Sequence, residues 1–482
     1  MSSQLLLGLI AAYFLLLIAI SYFSGRKSDN ETFFTGNRQS PWYVVAFGMV
    51  GASLSGVTFI SVPGWVATNG FSYMQMVLGY VLGYIVIVNI LLPLYYRLNL
   101  TSIYTYLGGR FGNTSYKTGS LFFLLSRIIG ASFRLYLVAI VLDQILAVYE
   151  VPFWLTVAIT ILLIWVYTFR SGIKTIVWTD TLQTTFMLLA VIITVFVIRD
   201  KLIPEEGLFN YIAQSDYSTV FNFGDWRAEN AFWKQFLAGM FITIVMTGLD
   251  QDMMQKNLSC RSLKDAQKNM MWLSVVLVFV NVIFLSLGVL LYDYAAAAGI
   301  DATGDKLFSA VALSGDLGML VAGLFVVGLI AAAYSSADSA LTALTTSFCV
   351  DILGVQKMEA QRATQLRKVT HIGFSLVLFL VIILFKYWVD DSVIKELFTI
   401  AGYTYGPLLG LYAFGLITKL NIKDVWVPVV CIVSPLLCYF FKIYALEWWG
   451  YSFSFELLLL NGLLTFMGLL LLVDTKKAAY IE

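Results

Sequence analysis

Charge is scarce in this chain: Asp, Glu, Lys and Arg make up 12% of its 482 residues, against 60% hydrophobic residues. A soluble chain of this length carries about twice that charge, near 25%, so a set of ordinary soluble domains is excluded. There is one histidine, His371, and the four cysteines (Cys260, Cys349, Cys431, Cys438) are scattered with no CxxC. No Cys/His constellation is left for a structural metal or a thiol redox centre; the cysteines read as small apolar packing residues and His371 as structural. HExxH, a GxSxG with a partner histidine and a phosphate-binding loop are missing, so enzyme chemistry has no constellation to stand on. Net charge near +1, with basic residues in short loops, leaves no nucleic-acid footprint. The first apolar run has no basic segment ahead of it; Arg26 and Lys27 follow it, so it reads as an uncleaved helix and not a signal peptide.

What the chain has instead is apolar runs of about 20 residues, the length that crosses a bilayer core of roughly 30 Å. They predict an all-α polytopic membrane protein with thirteen spans: 4–23, 43–66, 73–96, 118–148, 152–168, 175–198, 232–255, 270–293, 311–349, 369–387, 392–417, 425–444 and 454–473. The fourth and ninth are too long for one straight crossing and so tilt or extend beyond the membrane. With the N-terminus outside, 20 of the 30 Lys and Arg fall in the loops of one side, among them Arg26, Lys27, Arg97, Arg110, Arg170, Lys174, Lys256, Arg261, Lys357, Lys476 and Lys477. The positive-inside tendency makes that side cytoplasmic, with the C-terminus inside and residues 199–232 forming an external loop.

Two spans carry helix-loosening residues at comparable places. The second contains "GASLSGVTFISVPG" (51–64), and the seventh contains "GMFITIVMTGLDQDMMQK" (239–256), with Gly248 beside Asp250. Counted from the second span these are helices 1 and 6, and matched interruptions in two halves point to an inverted-repeat transporter with its site at the midplane. Alone, a Gly/Pro-rich helix is more often a kink or a close packing contact.

A third stretch, "AAAYSSADSALTALTT" (331–346), puts Ser335, Asp338, Ser339, Thr342 and Thr346 along one helical stripe inside an apolar run. Hard oxygens of this kind suit a small hard cation, although serines in membrane helices also serve as a packing face. Asp338 favours the ion, because a carboxylate at depth costs a few kcal/mol and usually marks an ion or proton path. Asp180, near the start of the sixth span, reads either as an interfacial acid favoured by the helix dipole or as part of the same site. If Asp180 and Asp338 are close, an empty site does not comfortably keep both ionised; a cation between them, or a proton on one, resolves the conflict. Asp250 and Asp252 are either interfacial or in the site. Arg127 and Arg134 share a face of the fourth span; Arg127 either snorkels or is buried, and Arg134 meets an acid or an anionic solute.

These motifs, together with "YYRLNLTSIYTYLGGRF" (95–111), "GIKTIVWTDTLQ" (172–183) and "GYTYGPLLGLYAFG" (402–415), resemble the solute:sodium symporter family, whose members include glucose, proline, sialic-acid, iodide and vitamin carriers. The resemblance covers nearly the whole chain. It implies a leucine-transporter-like inverted repeat of five plus five helices: an extra N-terminal helix (4–23), a first repeat (43–198), a second repeat (232–417) and two extra C-terminal helices (425–473). It further implies a Na+ site between helices 1 and 8, formed by carbonyls of Gly51, Leu54 and Ala332 and hydroxyls of Ser335 and Ser336. A second Na+ site would use Asp180, Ser335, Asp338 and Ser339, with Asp338 an acid where the family has a hydroxyl. Substrate positions carry over to Ser53, Ser55, Thr58, Gln75, Thr247 and Tyr403. The carboxylate-binding arginine of sialic-acid carriers falls at Gly130, and their helix-2 glutamine near Val77, which counts against sialic acid itself.

The expected activity is Na+-coupled import of a small organic solute, a sugar, organic anion or vitamin-like compound, by a multi-pass protein of the cell membrane. Its expected partners are the solute, sodium ions and the lipid bilayer, with no organic cofactor and a monomeric state. Proton coupling through Asp180 and Asp338 is the rival within transport; a channel or a solute sensor is the rival outside it.

Overall fold

The computed structural model describes residues 3–24, 30–168, 172–203, 207–387 and 393–474. The loop charges Arg26, Lys27, Arg170, Lys476 and Lys477 lie outside the described residues. Among the described residues the fold is helical, with two isolated bridges (Ser40 to Cys260, Ile422 to Val473) and no strand. In chain order we label α1 (Ser3–Ser24), α2 (Trp42–Gly64), α3 (Val66–Arg97), α4 (Asn113–Leu146), α5 (Phe153–Thr168), α6 (Ile173–Leu202) and α7 (Phe232–Gly248). Then follow α8 (Gln251–Leu258), α9 (Leu263–Ala298), α10 (Gly318–Leu353), α11 (Ala360–Phe385), α12 (Val393–Ile417), α13 (Val427–Trp449) and α14 (Leu457–Leu471).

Nine helices among the described residues are long and apolar enough to cross a bilayer, and α7 with α8, bent by 63°, forms a tenth candidate span. Three shorter apolar helices, Leu7–Phe23, Phe153–Val166 and Leu457–Leu471, accompany them. Two expected spans differ from the sequence reading. The run 311–349 is not continuous: a short helix, Leu307–Leu313, ends before α10 starts at Gly318. Gly315 and Gly318 sit at φ +93° and +85°, a backbone region open to glycine and poorly open to other residues. The run 232–255 is likewise two helices, broken beyond Gly248.

α2, α6, α9 and α10 pack together as the centre, with α4 and α12 alongside. α2 and α10 approach closely because Gly56 faces Ala333, where an added Cβ would come within 3.3 Å of the alanine methyl. α11 and α13 lie at the periphery and turn apolar side chains outward, including Leu376, Leu380, Ile432 and Leu436. Such an exposed apolar girdle is stable where lipid covers it.

Candidate functional site

The break in α2 organises the site. Ser55 has φ 52° and ψ 172° in the middle of the helix, a conformation that a non-glycine residue adopts only under strain. Helical bonds run from each N–H to the carbonyl four residues back, so a break at Ser55 interrupts the bonds of the carbonyls of residues 52–54. α10 passes this point: Ser336 Oγ donates to the Ala52 carbonyl at 3.3 Å. On the other side of α2, Thr184 of α6 accepts from Gly51 N at 3.1 Å and donates to the Gly48 carbonyl at 3.3 Å. Leu54, Ala332, Ser335 and Ser336 are buried where α10 passes the break, with the Ser336 hydroxyl on the Ala52 carbonyl. Hard oxygens there fit a small hard cation.

The proposed second cluster is arranged differently from its expectation. Ser335 Oγ donates to Asp180 Oδ1 at 2.7 Å, and the Gln183 amide, turned with its nitrogen toward the acid, donates to the same oxygen at 3.2 Å. The other oxygen, Oδ2, lies 2.6 Å from Lys256 Nζ, with both side chains 1% exposed. Lys256 is therefore not the solvated loop charge that its place after "DQDMMQ" suggests. Asp338 Oδ1 accepts from the backbone N–H and hydroxyl of Ser339, and Ser339 Oγ donates to the Ser335 carbonyl at 2.8 Å.

The second break sits between α7 and α8. A wide π turn, Ile244–Gly248, loosens α7, and Asp250 caps α8 by accepting from Asp252 N at 2.8 Å and Met253 N at 3.3 Å. Arg127 forms ion pairs with Asp252 and, at 3.7 Å, with Asp250; Tyr405 donates to the latter. Arg127 is thus buried and paired and does not snorkel. Arg134, two helical turns along the same face, is 7% exposed and forms no ion pair or hydrogen bond among the described residues.

Between the two breaks lies a cavity of about 90 Å³. Ser53, Ser55, Thr58 and Thr247 line it, and so do Tyr84, Asn281, Arg127 and Arg134. Gln75 and Tyr403 are placed elsewhere. Gln75 braces the segment before α7, accepting from Asn222 N at 3.0 Å and donating to the Asn230 carbonyl at 3.0 Å. Tyr403 faces α13, its ring 6.3 Å from that of Tyr439; the neighbouring turn presents Tyr405 inward instead.

The two ends of the cavity are closed unequally. Toward the 98–112 segment, Tyr95 and Tyr104 donate to the carbonyls of Gly248 and Leu249 at 2.8 and 2.9 Å. Gln251 spans Ile103 N and the Thr101 carbonyl, and Asp351 accepts from Ser102, Tyr116 and Ser347. Toward the 207–231 segment, an aromatic layer intervenes among the described residues: Trp65 lies 5.9 Å from Tyr73 and 6.2 Å from Phe455, and Phe398 lies 5.1 Å from Phe455. Beyond it is a cavity of about 550 Å³ lined by Trp65, Glu229, Lys395, Lys442 and Phe455.

Two interrupted helices beside a buried polar cavity, inside a shell of apolar spans, define a multi-pass membrane transporter. The chain belongs to the sodium:solute symporter family: the family's sequence profile matches residues 33–421. It is a transporter and not an enzyme, and its relatives are Na+-coupled solute symporters. The sodium/sialic acid symporter SiaT of Proteus mirabilis (strain HI4320) is 26% identical over 433 residues, covering 86% of this chain and 84% of that protein. The human sodium/iodide cotransporter is 24% identical over 407 residues, covering 81% of this chain and 62% of the cotransporter. The fold is also that of a Na+-coupled sialic acid symporter solved in a substrate-bound outward-open state, with a TM-score of 0.82, 20% identity, and coverage of 97% of this chain and 98% of that one.

Proposed function

We propose that this chain imports a compact organic anion together with Na+ across a cell membrane by alternating access. The anion rests on one observation: Arg134 is a buried guanidinium on the cavity wall without an ion pair among the described residues, while Arg127 beside it is paired with Asp250 and Asp252. A buried guanidinium without an ion pair is costly until an opposite charge meets it, and a guanidinium matches a carboxylate with two parallel bonds. Asn281, whose amide oxygen also lacks a partner among the described residues, offers a hydrogen-bond acceptor for a solute hydroxyl. A volume of about 90 Å³ suits a short-chain carboxylate better than a nine-carbon sugar acid. The relatives' named solutes, sialic acid and iodide, are both anions, which supports the same class.

In this reading the thirteen apolar spans form two five-helix repeats with one extra helix before and two after, the N-terminus outside and the C-terminus inside. Na+ binds at the α2 break through carbonyls of Gly51, Leu54 and Ala332 and hydroxyls of Ser335 and Ser336. Its charge orders the strained Ser55 turn, which carries cavity residues Ser53, Ser55 and Thr58, so Na+ and solute strengthen each other's binding. The thin aromatic layer around Trp65 and Phe455 is the outer seal, and the hydrogen-bonded collar around Gln251 is the inner one. Opening them in turn moves the load inward.

The test is uptake into liposomes carrying the purified chain, with pyruvate, glucose and N-acetylneuraminate as labelled probes and choline replacing Na+ in the control. Pyruvate accumulation that requires an inward Na+ gradient is the expected result. Uptake driven by a proton gradient without Na+ would select the proton-coupled alternative, and a preference for glucose would remove the anion.

A further inference from the structure

We infer that Lys256 is a built-in second cation: its ammonium occupies the place at Asp180 where a second Na+ would bind, so each chain binds a single Na+. The inference rests on the sodium reading above and fixes its stoichiometry. Both oxygens of Asp180 are committed, Oδ2 to Lys256 Nζ at 2.6 Å and Oδ1 to the Ser335 hydroxyl at 2.7 Å and the Gln183 amide at 3.2 Å. The ion pair is almost fully buried, so salt in the medium screens it far less than an exposed pair. The ammonium is also tethered. It rides on α8, which Asp250 caps and which the Gln251 side chain ties to the 101–103 backbone. A tethered cation competes with a free one at high effective concentration. A Na+ ion taking Asp180 would leave a buried ammonium without a counter-charge, the state that buried ion pairs resist most strongly.

The pair also positions Ser335. Its hydroxyl proton points to Asp180, so its oxygen lone pairs remain for a cation held at the α2 break. The ammonium and the coupling Na+ thus sit on either side of one serine, each with its own anionic or carbonyl ligands. Asp338 Oδ1 accepts from the backbone N–H and hydroxyl of Ser339.

The experiment is ²²Na+ binding to the purified chain in nanodiscs, with choline keeping ionic strength constant, and tryptophan fluorescence followed over the same titration. The wild type is expected to bind one Na+ per chain with a Hill coefficient of about 1. Lys256→Met, purified in Na+, is expected to bind two, with a Hill coefficient above 1 and a thermal midpoint that depends on Na+ more steeply than the wild type's. The double variant Asp180→Asn, Lys256→Met removes both charges and is expected to return to one Na+. Two Na+ bound by the wild type, or one by Lys256→Met, would overturn the inference while leaving sodium coupling intact. No Na+ bound by the wild type would overturn the sodium reading itself. If Lys256→Met does not fold, the wild-type stoichiometry still decides.

Discussion

Arg127 and Arg134 have the same chemistry and lie on one face of α4, yet their surroundings differ. Arg127 neutralises Asp250 and Asp252 at the break between α7 and α8. Arg127→Ala strands two buried carboxylates and is expected to cost about 3–5 kcal/mol of stability, read as a large drop in the thermal midpoint in detergent. Arg134 has no such partner among the described residues, so Arg134→Gln is expected to leave the midpoint unchanged or raised while weakening anion binding. The sequence marks both arginines as intramembrane and sharing a face, but which one finds an acid depends on how α8 folds back, and no local pattern encodes that. Lys256 was hidden for the same reason: a lysine at the end of "DQDMMQK" looks like an interfacial charge until Asp180 of α6 is seen beside it. At Cys260, in the turn between α8 and α9, burial pushes the thiol up to about 12. The thiolate is the reactive form, so at pH 7–8 the folded chain is expected to resist maleimide at Cys260, and labelling should rise only on denaturation or in strong alkali. Prompt labelling of the folded protein at pH 7 would contradict that burial.

Among the elements, the interrupted helices were the most legible. Gly, Ser and Pro crowd residues 51–64, and Gly248 with Asp250 interrupts the other; both breaks fall within those stretches. Rotation about the helix axis was less legible. Adjacent residues on a helix are turned by about 100°, so an error of one or two positions moves a side chain to another face. That is why Tyr403 faces α13 while Tyr405 reaches Asp250, and why Gln75 braces the 222–230 segment. The split of 311–349 turned on positive-φ glycines at 315 and 318, which hydropathy does not detect. The α2 break itself is testable. The Ser55 conformation stores about 1–3 kcal/mol, so Ser55→Gly should raise the thermal midpoint and Ser55→Val, β-branched at positive φ, should lower it. If the two variants had equal midpoints, the break would not be a strained one.

For the whole molecule, charge balance sets what the carrier can concentrate. One Na+ carried with a monoanion moves no net charge, so the membrane potential neither drives nor opposes a cycle of that stoichiometry. A second Na+ would add about 2.3 kcal/mol per 100 mV, close to a 50-fold gain in the gradient supported. Clamping liposomes at 0 and −100 mV with potassium and valinomycin should therefore leave Na+-driven pyruvate uptake unchanged, whereas a strong response to voltage would require a second ion. The claim beneath all of this is that Na+ energy is spent on an anion recognised by Arg134. The most direct measurement is Na+-gradient-driven pyruvate uptake by the wild type and by Arg134→Gln, at matched protein per liposome. Na+-dependent accumulation is expected in the wild type, with its loss in Arg134→Gln while Na+ binding is retained; equal uptake by the two proteins would rule out anion recognition by Arg134.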